Sequence, residues 1–274
     1  MSAEFQMPPH PPPHSTESFA ERCVQLRDPA TQEQMLSYFK EGVTDREFLT
    51  YYSKSGKDSQ PQGCSSEPTP FDMARQYLSN WQALSNPILW NGVLWPTIEH
   101  AFQWNKIEAI MKNAPSVAFT GTSKMEAVSC SSLNELQQMF ISLDAKGALE
   151  FGRRKDYPEG SIPSDFFDRN GEYNKSAEQL MYDLMTERLK TDPTYRQIIQ
   201  HALEHDILLV HVDDSKWGGG MWAAAGNDEK YDCSNQDAST YTPLNQDVGK
   251  PYQENKTGAI MMDVYKRIWP EETK

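Results

Sequence analysis

Cysteine is scarce in this 274-residue chain: Cys23, Cys64, Cys130 and Cys233 are the only four, and they lie far apart. Without a CxxC pair or a dense even spacing, neither a disulfide framework nor a zinc knuckle is expected, and the thiols read as reduced. No apolar run approaches the roughly 18 residues of a membrane span. Positive charge is also short, with 26 Lys+Arg against 39 Asp+Glu and a net charge of -13. A field of that sign repels polyanions, which argues against extended tracking along a nucleic-acid backbone but leaves room for a local pocket holding one or two phosphates. No GxSxG elbow, P-loop or GxGxxG fingerprint occurs, so serine-hydrolase and P-loop chemistry have no support. The Pro/His-rich opening lacks the basic and apolar regions of a signal peptide, so the cytoplasm is the expected compartment, with the nucleus as the other candidate.

What is present divides into three parts. Residues 1–17 are too poor in core-forming side chains to offset the entropy of ordering them and read as a disordered, solvated tail. Residues 18–70 read as a helical extension and linker. In it, Phe19, Cys23, Leu26, Met35, Phe39, Val43 and Phe48 are spaced for short amphipathic helices up to Tyr52, and Ser53 to Pro70 is Ser/Gly/Pro/Gln-rich. Residues 71–270 carry the regular patterns and read as the main domain. Helices are predicted at Thr97 to Lys112, Ser132 to Leu143, Ala145 to Arg153, Ser176 to Thr191 and Pro193 to His205. The apolar run from Ile207 to Val212 suits a buried strand. A polar, turn-rich insertion at about 227–254 has the character of a lid or a disordered loop. The expected class is α+β, helix-rich, with a few short strands.

Four segments bear residues suited to chemistry. In Trp95 to Lys106, WPTIEHAFQWNK, Thr97 can cap a helix and Glu99 falls in its first turn, facing the positive end of the helix dipole. Glu99, Gln103 and Lys106 stand at i, i+4 and i+7 on one face. An acid, an amide and an amine in a row can bind sugar hydroxyls and move protons, and the amine becomes a nucleophile if burial lowers its pKa. By spacing alone the commoner arrangement is a solvent-facing helix decorated with Glu and Lys.

The segment HVDDSKWGGGMW follows the predicted strand. Gly218 to Gly220 would admit close backbone approach to a phosphate or sugar, and Trp217 or Trp222 could stack on a base; a plain flexible turn accounts for the same residues. FGRRKD places Arg153 and Arg154 either against a helix C-terminus or on a phosphate. His201, His205 and His211 invite a metal reading, but HALEH lacks the Glu of HExxH, and core or surface histidines are the better description.

Five blocks occur in an order that resembles the NADAR superfamily, which includes YbiA-like proteins. They are YLSNW (Tyr77 to Trp81), Asn91 to Lys106, ALEFGRR (Ala148 to Arg154), DDSKWGGG (Asp213 to Gly220) and NKTGAIMMDVYKR (Asn255 to Arg267). The resemblance spans about Phe71 to Trp269, interrupted by the 227–254 insertion. It implies a compact YbiA-like domain and N-glycosidase activity. Its substrates would be ribosylaminopyrimidine phosphates of riboflavin metabolism, or ADP-ribose attached to guanine, free or in nucleic acid. It further implies Glu99, Lys106 and Asp214 as catalytic residues. Asn80, Trp95, His100, Gln103, Arg153, Trp217, Gly218 and Asn255 would bind substrate, with no metal and no organic cofactor required. Attack by Lys106 to give a Schiff base, and direct attack by water with the carboxylates as base and stabiliser, both satisfy this set. A non-catalytic ADP-ribose or nucleotide-binding module is the alternative function.

Overall fold

A computed structural model describes residues 26–42, 48–52, 70–113, 132–152, 157–163, 166, 174–213, 225–226 and 256–271. Among these the chain forms helices α1 (Pro29–Gly42), α2 (Pro70–Leu78), α3 (Ile98–Asn113), α4 (Leu133–Ser142), α5 (Ala145–Phe151), α6 (Asn174–Thr191), α7 (Pro193–Glu204) and α8 (Lys256–Ile268). The strands are β1 (Phe48–Tyr52), β2 (Ile88–Trp90), β3 (Val93–Trp95), β4 (Leu208–Asp213) and β5 (Ala225–Gly226). The fold is thus helix-rich with a few short strands. No helix among the described residues is long and apolar enough to cross a membrane.

The helix ends follow local chemistry. Ser132 caps α4 by accepting the Glu135 amide, and Asp144 caps α5 through the Gly147 amide. Asp192 caps α7 through the Tyr195 amide, with Pro193 at the first helical position, where a missing N–H costs nothing. The α3, α4, α5, α6 and α7 spans agree with the sequence reading to within about two residues, the ordinary scatter of helix ends.

Three elements differ from that reading. The segment Phe48–Tyr52 is not part of a helix: FLTYY, aromatic and β-branched, is strand β1, parallel to β4 with Leu49 opposite Leu209 and Tyr51 opposite His211. Nor does residue 70 separate an extension from a domain. Strand β4 lies between β1 and β5, and α1 packs on α2 and α7, so the described part of 18–70 belongs to the same core. Third, β2 and β3 form an antiparallel hairpin turned by Asn91 (φ 50°) and Gly92 (φ 78°). Both turn residues have the positive φ that tight hairpins need, and Asn-Gly is its sequence signal.

The hairpin feeds α3, which packs against α4, α5, α6 and β3. Around it Trp95, Trp104, Phe140 and Phe151 make a continuous aromatic cluster, with Phe140 5.5 Å from Trp104 and 5.7 Å from Phe151 between ring centres. These separations and the tilted or edge-on geometries are those aromatic pairs favour.

Candidate active site

Helix α3 starts where Thr97 stops the extended chain: its hydroxyl accepts the His100 amide at 3.1 Å. The preceding segment comes in from the side, and the Asn80 carbonyl accepts the Glu99 amide at 3.1 Å. The free first turn of the helix is therefore satisfied from both its own cap and the turn after α2.

Because α3 is surrounded, its polar face is not solvated. Glu99 is 8%, Gln103 3% and Lys106 6% exposed, so the solvent-facing arrangement that spacing alone favoured does not hold for these three. They form one hydrogen-bonded chain. The Gln103 amide nitrogen donates to Glu99 Oε1 at 2.7 Å, and Lys106 Nζ donates to Gln103 Oε1 at 2.6 Å. The polarity of the amide follows, since an ammonium offers only donors and the atom facing it must be the oxygen. Lys106 Nζ also donates to the Gly152 carbonyl at 3.1 Å, across to the end of α5.

Burial acts on both ends of this chain in the direction that removes charge. The Glu99 carboxyl is pushed up from the usual range by loss of hydration, opposed by the bonds from Gln103, the nearby Lys106 and the Trp81 indole. The Lys106 amine is pulled down to about 8 by the same loss of hydration, opposed by Glu99. The Phe102 ring lies 5.6 Å from Nζ. An acid biased toward its protonated form and an amine biased toward its neutral form thus share one helix face.

Asn80 belongs to the same helix end. It is 8% exposed, its side-chain nitrogen donates to Met181 Sδ at 3.7 Å, and its buried Oδ1 has no hydrogen-bond partner among the described residues. Leaving a buried acceptor without a donor costs about 1–3 kcal/mol, so the atom is suited to a donor from outside the described chain.

Trp95 and His100 are placed otherwise. Trp95 is 1% exposed, donates its indole N–H to the Trp90 carbonyl at 3.2 Å and packs on Trp104: it is core. Both His100 ring nitrogens are engaged, Nδ1 with Thr97 Oγ1 at 2.8 Å and Nε2 with the Leu143 carbonyl at 3.0 Å. A carbonyl accepts only, so Nε2 carries the proton and the Thr97 hydroxyl donates to Nδ1. Burial lowers the His100 pKa and keeps the ring neutral in that role, which ties the start of α3 to the α4–α5 turn. Asp214, Arg153, Trp217, Gly218 and Asn255 lie outside the described residues. His201 and His205 lie 4.3 Å apart between ring centres at the C-terminal end of α7, whereas His211 of β4 stacks on Tyr51 of β1 at 5.0 Å.

Two contributors escaped the sequence reading. Trp81 and Gly152 both fall inside motif blocks, but nothing in their local spacing says that one donates to Glu99 and the other accepts from Lys106. Compared with protein-family models, curated proteins and solved structures, the chain gave no match.

Proposed function

We propose that the protein is a YbiA-like N-glycosidase, hydrolysing the bond between an anomeric ribose carbon and a nitrogen in a nucleotide-like substrate. The substrate is ADP-ribosylated guanine or a ribosylaminopyrimidine phosphate, met in the cytoplasm or nucleus. The observation that carries this reading is the buried Glu99–Gln103–Lys106 chain, in which one environment raises the acid's pKa and lowers the amine's. Opposed shifts of that kind supply a proton donor and a nucleophile near neutral pH. The buried Asn80 Oδ1 adds a place for a sugar hydroxyl to donate.

In the proposed reaction the Glu99 carboxylic acid protonates the ribose ring oxygen as its bond to C1′ opens, leaving an iminium between C1′ and the base nitrogen. Neutral Lys106 adds to C1′. A proton passes from the lysine nitrogen to the base nitrogen, and the C1′–base bond breaks to leave a lysine Schiff base. Water hydrolyses that Schiff base to the sugar aldehyde, which recloses to ribose. A proton returned from the Lys106 ammonium to the Glu99 carboxylate resets both groups. Asp214, next after the end of β4, is proposed as a further proton-handling residue.

Purified protein is incubated with guanine-linked ADP-ribose and, separately, with a ribosylaminopyrimidine phosphate, and released base is measured. Lys106→Ala and Glu99→Gln are each expected to reduce turnover by about 10²–10⁴-fold or more, the usual worth of positioned acid–base and nucleophilic groups. Wild-type rates in both variants would sink the assignment of roles. Borohydride trapping of a sugar on Lys106 supports the Schiff base, whereas turnover with no trapped adduct favours direct attack by water. Tight binding of either ligand without turnover points to the binding-module alternative.

A further inference from the structure

The end of α5 meets the active-site face of α3 at Gly152. Its carbonyl takes a hydrogen bond from Lys106, and its Cα stands so close to Gln103 that an added Cβ would lie 2.1 Å from Gln103 Oε1 and 2.9 Å from the amide carbon. The backbone there has no unusual φ to favour glycine: Gly152 sits at φ -87°, which any residue adopts. What requires the absence of a side chain is the Gln103 amide itself. The oxygen of that amide lies closer to Lys106 Nζ than the Gly152 carbonyl does, at 2.6 Å against 3.1 Å.

We propose that Gly152 is a positioning residue. By leaving its Cβ position empty it seats the Gln103 amide between Glu99 and Lys106, and the amide oxygen and the Gly152 carbonyl together cradle the Lys106 amine. The inference rests on the reading of Lys106 as the reactive amine. Acceptors aimed at Nζ favour its ammonium form, opposing the loss of hydration that lowers its pKa. The cradle therefore sets how much neutral amine exists near pH 7. The two atoms under 3 Å are at the free end of a flexible side chain, while Gln103 Cβ, at 3.1 Å, must give by a few tenths of an ångström, so an alanine at 152 displaces the Gln103 amide first.

The test needs no substrate, so it can fail independently of the N-glycosidase reading, which the turnover assays decide. The 274-residue chain is treated with an amine-acylating reagent across pH 6 to 11, and modification of Lys106 is followed by peptide mass spectrometry. In Gly152→Ala the midpoint for Lys106 is expected to fall by about one pH unit. A midpoint moved from about 8 to about 7 raises the neutral fraction at pH 7 about five-fold. Gln103→Ala is expected to give the same fall, and the double variant no more than either single one, because both remove one acceptor. Gly92→Ala, at a glycine with nothing within 4 Å of its Cβ position, is expected to leave the midpoint unchanged. An unchanged or raised midpoint in Gly152→Ala, or shifts that add in the double variant, overturns the proposal. Should Gly152→Ala fail to fold, an unchanged midpoint in Gln103→Ala overturns it equally.

Discussion

A lysine with 6% of its surface exposed has lost most of the water that stabilises its charge, and the molecule carries that cost in its stability. The folded pKa of Lys106 is depressed to about 8 from an unfolded value near 10.5. Between those values the unfolded chain binds the proton that the folded chain has released, so stability rises with pH across that window and is lost as pH falls through 8. Against Lys106→Met, which does not titrate, wild type is expected to gain up to about 3 kcal/mol in urea unfolding free energy between pH 8 and pH 10.5. A flat difference would mean that Lys106 titrates alike in both states. Glu99 has the opposite sign. Its raised folded pKa gives a contribution present below about 4.5 that is lost as pH climbs through the folded value, so wild type weakens relative to Glu99→Gln over that climb. The i, i+4, i+7 row was visible in the sequence because helical geometry is local. Its burial was not, because the atoms that enclose it belong to the turn at Asn80 and Trp81 and to Gly152.

Elements were legible where a cap or a period announced them. Asp192-Pro193 and Ser132 with Glu135 mark the starts of α7 and α4 by groups that satisfy the first amides. Helix α3 was legible for the same reason, and Thr97→Val is expected to cost about 1 kcal/mol by exposing the His100 amide and releasing the His100 ring, read as a lower urea midpoint. The hairpin before it went unread although Asn91-Gly92 signals it, since its strands have three residues each and no run long enough to show alternation. Its two faces are nonetheless distinct: Ile88 and Trp95 are paired and buried, whereas Leu89 and Leu94 are paired and exposed. Gly92→Ala meets no atom but must adopt φ 78°. It is expected to lower stability by about 1 kcal/mol through the dihedral alone, in contrast to the steric displacement at Gly152.

At the scale of the whole molecule, the contacts that join distant segments are those the sequence concealed. Strand β1 is five residues whose partner lies some 160 positions on, and no local pattern could pair Phe48 with Leu208. Arg188 of α6 is the polar counterpart: it is fully buried, donates to the Tyr77 and Ser79 carbonyls and to Asp192, and stacks on Tyr195 at 3.9 Å. Asp192 also accepts the Tyr77 hydroxyl at 2.9 Å, while Gln32 of α1 donates to the same hydroxyl, so one arginine gathers α1, α2, α6 and α7. It also holds the turn whose Asn80 carbonyl accepts the Glu99 amide, and through it the start of α3. Arg188→Met takes a donor from the Tyr77 and Ser79 carbonyls, the latter still accepting the Gln82 amide, and removes one partner of a buried ion pair, for an expected loss of about 3–5 kcal/mol. In a cycle with Asp192→Asn the two single losses should exceed the double loss by about 0.5–3 kcal/mol, the coupling of neighbours sharing a network. Hydrogen exchange then locates the damage. If Arg188 acts through the Asn80 turn, the Glu99 amide exchanges faster in Arg188→Met than the Ile107 amide by more than their wild-type ratio. Equal acceleration of both would mean that Arg188 stabilises the molecule as a whole without a particular hold on the site.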